Sequence, residues 1–149
     1  MGCTVRRRAR RCVVTVCGLI LTSCILRALR HDQHVAAARA HEFLKLAVVD
    51  RSLDHAYALI KEEDRRAVSL TAFGEAVRSA HPDGFPTRLR ALAYEPVRGQ
   101  ALINIFLVGE NSGLRFYYRI PMVGTVDTGY APGGLFRVEH PPPASALPL

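Results

Sequence analysis

Beyond Cys24 the chain has no cysteine, because Cys3, Cys12, Cys17 and Cys24 are all four that it possesses. From position 31 onward this excludes a disulfide framework, a thiolate metal site and a cysteine nucleophile. Acid is missing from the first thirty residues, which hold seven arginines (Arg6, Arg7, Arg8, Arg10, Arg11, Arg27 and Arg30). Excess positive charge is missing from everything after them: those seven taken from 20 leave 13 Lys+Arg against 13 Asp+Glu. The net charge of +7 is thus a property of the leader. The remaining charges are interspersed, as on a solvated surface, and no nucleic-acid partner is expected, since such binding needs clustered cations to displace counterions.

Motifs of catalysis are scarce as well. Gly133-Gly134 has no lysine after it and makes no phosphate-binding loop. Ser69, Ser79 and Ser112 lie in no nucleophile-elbow setting. His31 and His34 are spaced to share a metal on a helix, with His41 and His55 following, but nothing supplies a third ligand at fixed spacing. No metal and no cofactor are expected.

What is present begins with the leader, residues 1–30. Five arginines precede an uncharged run of fifteen residues, Cys12 to Leu26, and two follow it. A basic start and an apolar stretch make an export or anchoring signal. A spanning helix needs about twenty residues, so a signal anchor requires Arg27 to snorkel and admit Ala28 and Leu29. The arginine bias would keep the N-terminus inside and the body outside. Leu21-Thr22-Ser23-Cys24 is similar to a bacterial lipobox, which would make Cys24 a lipidation site, although Ile25-Leu26 extends the apolar run where a polar tether is usual. Cleavage near Ala36-Ala37-Ala38 or a twin-arginine signal at Arg10-Arg11 is a further reading. The first two readings both tether the body to the outer face of a membrane.

Residues 31–140 form one expected domain. Apolar residues at Ala36, Ala40, Phe43, Leu44, Ala47 and Val48 predict a helix. Asp50 or Ser52 can cap a second, with the stripe Leu53, Ala56, Tyr57, Leu59 and Ile60, fading into a solvated end at Lys61 to Arg66. Ser69 or Thr71 can cap a third, carrying Phe73, Ala76, Val77 and Ala80, which His81-Pro82-Asp83-Gly84 stops. After Pro86 the period becomes two. Strands are predicted over Leu89 to Tyr94, Ala101 to Val108, Leu114 to Val123 and Leu135 to Val138, with a hairpin loop at Gly109 to Gly113 and a loop at Gly124 to Gly129. Residues 141–149, with four prolines in nine positions, are expected to fray.

Three helices followed by a four-stranded antiparallel meander predict an α+β domain, its helices on the concave face of a curved sheet. With Ala56-Tyr-Ala-Leu-Ile60, Ser69-Leu-Thr-Ala-Phe73 and Gly113-Leu-Arg-Phe-Tyr-Tyr118 in this order, the body resembles the nuclear transport factor 2-like superfamily of cone-shaped domains. The resemblance implies a small extracytoplasmic member and an inward pocket. That pocket would be lined by Phe43, Tyr57, Phe73, Phe116, Tyr118 and Met122, and would be filled or would hold an apolar small molecule. Relatives that are isomerases or dehydratases use a pocket acid with a Tyr or His partner. No acid falls on an inward strand position here, and Asp54 and Asp127 suit a helix start and a loop. A non-catalytic binding or assembly module is therefore expected. A subunit of an envelope complex is the alternative, since the layout is similar to that of type IV secretion and lipid-uptake subunits, and a small-pocket enzyme is the third reading.

One strand adds a partner. Along Ala101 to Val108 both faces are apolar, with Leu102, Phe106 and Val108 opposite the inward set. Such a strand expects cover on both sides, from the tail, a partner or a second copy. A homodimer through this outer face is the expectation.

Overall fold

The computed structural model describes residues 30–149. The leader, with Cys24 as its expected lipidation point, lies outside the described residues. Among the described residues no helix is long and apolar enough to cross a membrane.

Asp32 begins the folded part by capping α1 (Gln33–Leu44). Its backbone is extended, and its Oδ1 accepts the amides of His34 at 3.0 Å and Val35 at 3.1 Å. Two of the donors that a helix start leaves open are thereby satisfied. The helix runs on into a π-helical turn, Lys45–Val49, so that Ala47 and Val48 are buried with Ala36, Ala40, Phe43 and Leu44. Arg51, at φ +57°, turns the chain into α2 (Leu53–Ala58).

The stretch Lys61 to Arg66, expected as the solvated end of that second helix, instead starts a helix of its own, α3 (Glu62–Ala67). It buries no residue. Glu62, Glu63 and Asp64 in its first turn and Arg65 and Arg66 in its last oppose the helix dipole at both ends. The Tyr57 hydroxyl binds it from below, within 2.8 Å of the Arg65 carbonyl and 2.7 Å of the Val68 carbonyl. Ser69 then caps α4 (Leu70–Ser79) through a 3.2 Å bond from the Ala72 amide, and Phe73 and Val77 point inward.

The sheet follows: β1 (Arg88–Pro96), β2 (Leu102–Asn111), β3 (Leu114–Thr125), β4 (Gly129–Pro132), β5 (Phe136–Val138) and β6 (Leu147–Pro148). Every described pairing is antiparallel. The order is β4-β3-β2-β1-β6, with β5 also paired to β3. A bulge between Ala91 and Ala93 bends β1. α1 lies across β1, β2 and β4, and the core between holds Ile103, Ile105, Leu107, Phe116, Tyr118, Ile120 and Met122. The α+β class and the helix-then-sheet order are as read from the sequence. The counts differ among the described residues: four α-helices and a π-helical turn stand where three helices are expected, and six strands where four are. β4 was missed because Gly129-Tyr-Ala-Pro132 is too short to show a period and ends in proline, which an edge strand tolerates. Leu114, the first residue of β3, is exposed at the hairpin end.

The proline-rich C-terminal segment, expected to fray, lies along the sheet. Its Leu147 and Pro148 pair with Tyr94 and Ala93, on the far side of the sheet from β5. The connection between them must cross one face, and the helices occupy the other. Ser145 Oγ donates to Glu95 Oε1 at 3.0 Å, and Glu95 pairs opposite Asn104 on the outer face. Beneath this strap Ala93, Phe106 and Val108 are 6%, 5% and 4% exposed, yet none belongs to the main core. Phe106 and Val108 of the expected dimer face are thus buried within the single chain. The face that needed cover has it from the same chain, and Leu102 at its end is half-buried.

Candidate functional site

Among the described residues two places are of chemical interest, beside the exposed Arg88–Glu110–Arg115 ion pairs at the β2–β3 hairpin. The first is inside the core. α4 ends at Ser79, and the chain turns so that His81 points back beneath it, 4% exposed. Its Nδ1 lies 2.6 Å from the Val77 carbonyl, which can only accept, so Nδ1 carries the proton. The neutral ring then presents a lone pair at Nε2, and the Tyr118 hydroxyl donates to it at 2.7 Å. Phe85 stacks on the imidazole with ring centroids 4.8 Å apart. Gly109 makes room for this arrangement: a Cβ there would stand 2.7 Å from Pro86 Cβ and 3.1 Å from Tyr118 Cε2.

Burial holds the His81 pKa below its ordinary 6.5; the Val77 bond opposes that and Arg137 reinforces it. Burial likewise pushes the Tyr118 phenol well above the ordinary tyrosine value, against the pull of Arg137. Arg137 comes from β5, donates to the Ala80 carbonyl at 2.6 Å and lies 5.0 Å from the Phe116 ring centre. It ties β5 to the end of α4. Both imidazole nitrogens are engaged and Tyr118 is fully enclosed, so the pair has no open position for a reacting molecule. From the sequence alone His81 is part of a helix stop. Its spacing of four from Val77 was the available signal, and the pairing with Tyr118 is long-range.

The second place is a cavity of about 180 Å³ between α2, α3, α4 and the loop after β4. Tyr57, Ile60, Val68, Phe73, Val77 and Leu135 give it apolar walls, Gly133 and Gly134 leave one side bare, and Asp64 is its only charged side chain. Of the six expected pocket residues it uses Tyr57 and Phe73. Phe43, Phe116, Tyr118 and Met122 do not line it; they fill the sheet-side core, all 1% exposed or less. The correction has a simple cause. Large side chains from α1 and from β3 share one enclosed core and leave no room for a ligand between them.

The remaining candidates are separated. His31 reaches the Gln100 carbonyl at 3.3 Å and the Tyr130 hydroxyl at 3.4 Å, and Tyr130 also accepts the Asp32 amide at 2.8 Å. This fastens the start of α1 to β4. Asp54 sits in the first turn of α2, and Asp127 lies in the turn before β4. Among the described residues no three His, Cys, Asp or Glu gather as a metal-binding group. No protein family, curated protein or solved structure matches the chain.

Proposed function

We propose that this protein is a membrane-tethered, non-catalytic binding or assembly module on the extracytoplasmic side, with a body of the cone-shaped, nuclear transport factor 2-like kind. The order of helices before an antiparallel sheet, the helix α1 laid across it and the bulge that bends β1 support the cone. The carrying observation is the content of the interior. Among the described residues the buried polar side chains are His81 and Thr125. Both are hydrogen-bonded, His81 to Val77 and Tyr118 and Thr125 to Thr128; the one buried side-chain polar atom without a partner among the described residues is Arg65 Nε, and it is no acid. Acid-base chemistry in such a fold calls for a carboxylate whose pKa is raised by burial beside a reachable donor. The acids here stand at helix starts, turns and the surface.

The tether rests on the leader's arginines, its uncharged run and Cys24. Its test is the mass and membrane partition of the full-length protein made in a bacterium, beside Cys24→Ser. A lipid increment lost in the variant establishes a lipoprotein carrying a binding module. An uncleaved, membrane-bound chain in both forms establishes a signal anchor, and cross-linking for envelope partners follows. A soluble, unmodified full-length chain refutes the tether.

A further inference from the structure

The cavity beneath α3 has the size, lining and charge of a specific small-molecule site. A cavity of about 150 Å³ lined by aliphatic and aromatic side chains stays dry and takes up benzene. This one is about 180 Å³, with the rings of Tyr57 and Phe73 and the aliphatic groups of Ile60, Val77 and Leu135 in its walls. It therefore holds one six-membered ring and one or two further carbons. Its walls offer little to a polar body. The Tyr57 hydroxyl is turned away to the carbonyls of Arg65 and Val68.

The charge decides which molecule. Among the described residues Asp64 is the single ionisable side chain in the lining apart from that phenol, no cation shares the lining, and no ion pair within 4.0 Å engages its carboxylate. Its neighbours Glu62 and Arg66 pair with each other at 2.6 Å. Asp64 and Val68 are both exposed, so the carboxylate stands where the cavity opens to water. An anion such as a carboxylate or phosphate ester would meet a like charge there; an ammonium would meet its counterion.

We infer that this cavity binds a small aromatic or branched aliphatic amine, its apolar body among Tyr57, Phe73 and Val77 and its ammonium at Asp64. The inference deepens the proposed binding role and rests on it for the absence of turnover. Binding orders the roof as well. α3 buries nothing of its own and is held by Tyr57, so a ligand against Val68 would add packing to the least anchored helix.

The test uses the full-length chain in nanodiscs with labelled Ile, Leu and Val methyl groups, followed by NMR. Phenethylamine is the probe, with phenylacetate and propylbenzene as its anionic and neutral counterparts. Saturable shifts at Ile60, Val68, Val77 and Leu135 are expected with phenethylamine, none with phenylacetate. Asp64→Asn should weaken the amine about three- to fivefold, the range of an exposed ion pair, and leave propylbenzene unchanged. Ala76→Leu, which places a larger side chain in the lining from an exposed helix position, should abolish binding of both. Absence of saturable shifts with phenethylamine in the folded protein, or equal binding of phenylacetate, overturns the inference. Conversion of the amine, visible in its own spectrum, would keep the site and overturn the non-catalytic reading instead.

Discussion

Removing one oxygen atom, in Tyr118→Phe, tests the buried pair directly. The ring keeps its place between Ile120, Phe116 and the helices, and only the hydroxyl is lost. His81 Nε2 then has a lone pair in the core with no donor, since its hydrogen bond at 2.7 Å came from that hydroxyl and the ring is 4% exposed. An unsatisfied buried acceptor costs about 1–3 kcal/mol. At about 4 °C per kcal/mol for a domain of this size, the melting temperature should fall by roughly 4–12 °C. His81→Leu strands the Tyr118 hydroxyl and loses the stack on Phe85, for a comparable loss. The double variant removes both partners, so its loss should be smaller than the sum of the two by about 1–2 kcal/mol. Urea denaturation at pH 7.5–8 of all four proteins gives the cycle. Losses that add to within about 0.5 kcal/mol, or a Tyr118→Phe protein as stable as the parent, would refute the hydrogen bond.

Three further outcomes follow from the same structure. Because burial depresses the His81 pKa in the folded state, the unfolded chain takes up the proton first as pH falls. Stability is therefore full above 6.5, declines as pH drops from there toward the lower folded value and levels off below it; His81→Leu should flatten that part of a denaturation series, and an unchanged slope would show that other groups cause it. Truncation after His140 removes the strap and bares Phe106 and Val108, two side chains whose burial is worth about 1.5–3 kcal/mol each at most; a loss of roughly 2–4 kcal/mol with new binding of a hydrophobic dye is expected, and a truncated protein of parental stability would mean the strap covers nothing. A methyl group at Gly124, where φ is +134°, would stand 1.8 Å from the Gly129 carbonyl oxygen, so Gly124→Ala should cost at least about 3 kcal/mol, whereas Gly99→Ala, with φ +73° and nothing within 4 Å, should cost only about 1–2 kcal/mol of left-handed backbone strain; equal losses at the two positions would refute the steric argument.

The candidate sites were less legible than the fold. Tyr57 and Phe73 read from the sequence as inward aromatics on amphipathic helices, and both line the cavity. Phe43, Phe116, Tyr118 and Met122 have the same signature and are packed solid. A stripe of apolar residues says which way side chains point, and it does not say whether the space they enter is filled. Asp64 was hidden in a charged run that reads as solvated surface. Only the break after Ala58, with α3 folded over Tyr57, brings it to a cavity mouth.

Local patterns carried in the chain determined the elements they alone could form. The 3.6-residue stripe from Ala36 to Val48 gave α1 and its continuation, Ser69 or Thr71 marked the start of α4, and the turn-rich loop between two apolar strand runs gave the central hairpin, because period and cap chemistry act between residues close in sequence. The charge and cysteine asymmetry separated the leader from the body in the same direct way. Tertiary structure decided the rest. His81 meets Tyr118 across 37 positions, Arg137 on β5 reaches the Ala80 carbonyl across 57, and Ser145 in the strap reaches Glu95 across 50. Such contacts depend on where strands and loops pass one another in space. So does the choice of cover for the apolar outer face of β2: the sequence required that it be covered, and the path of the C-terminal segment across the sheet decided by what.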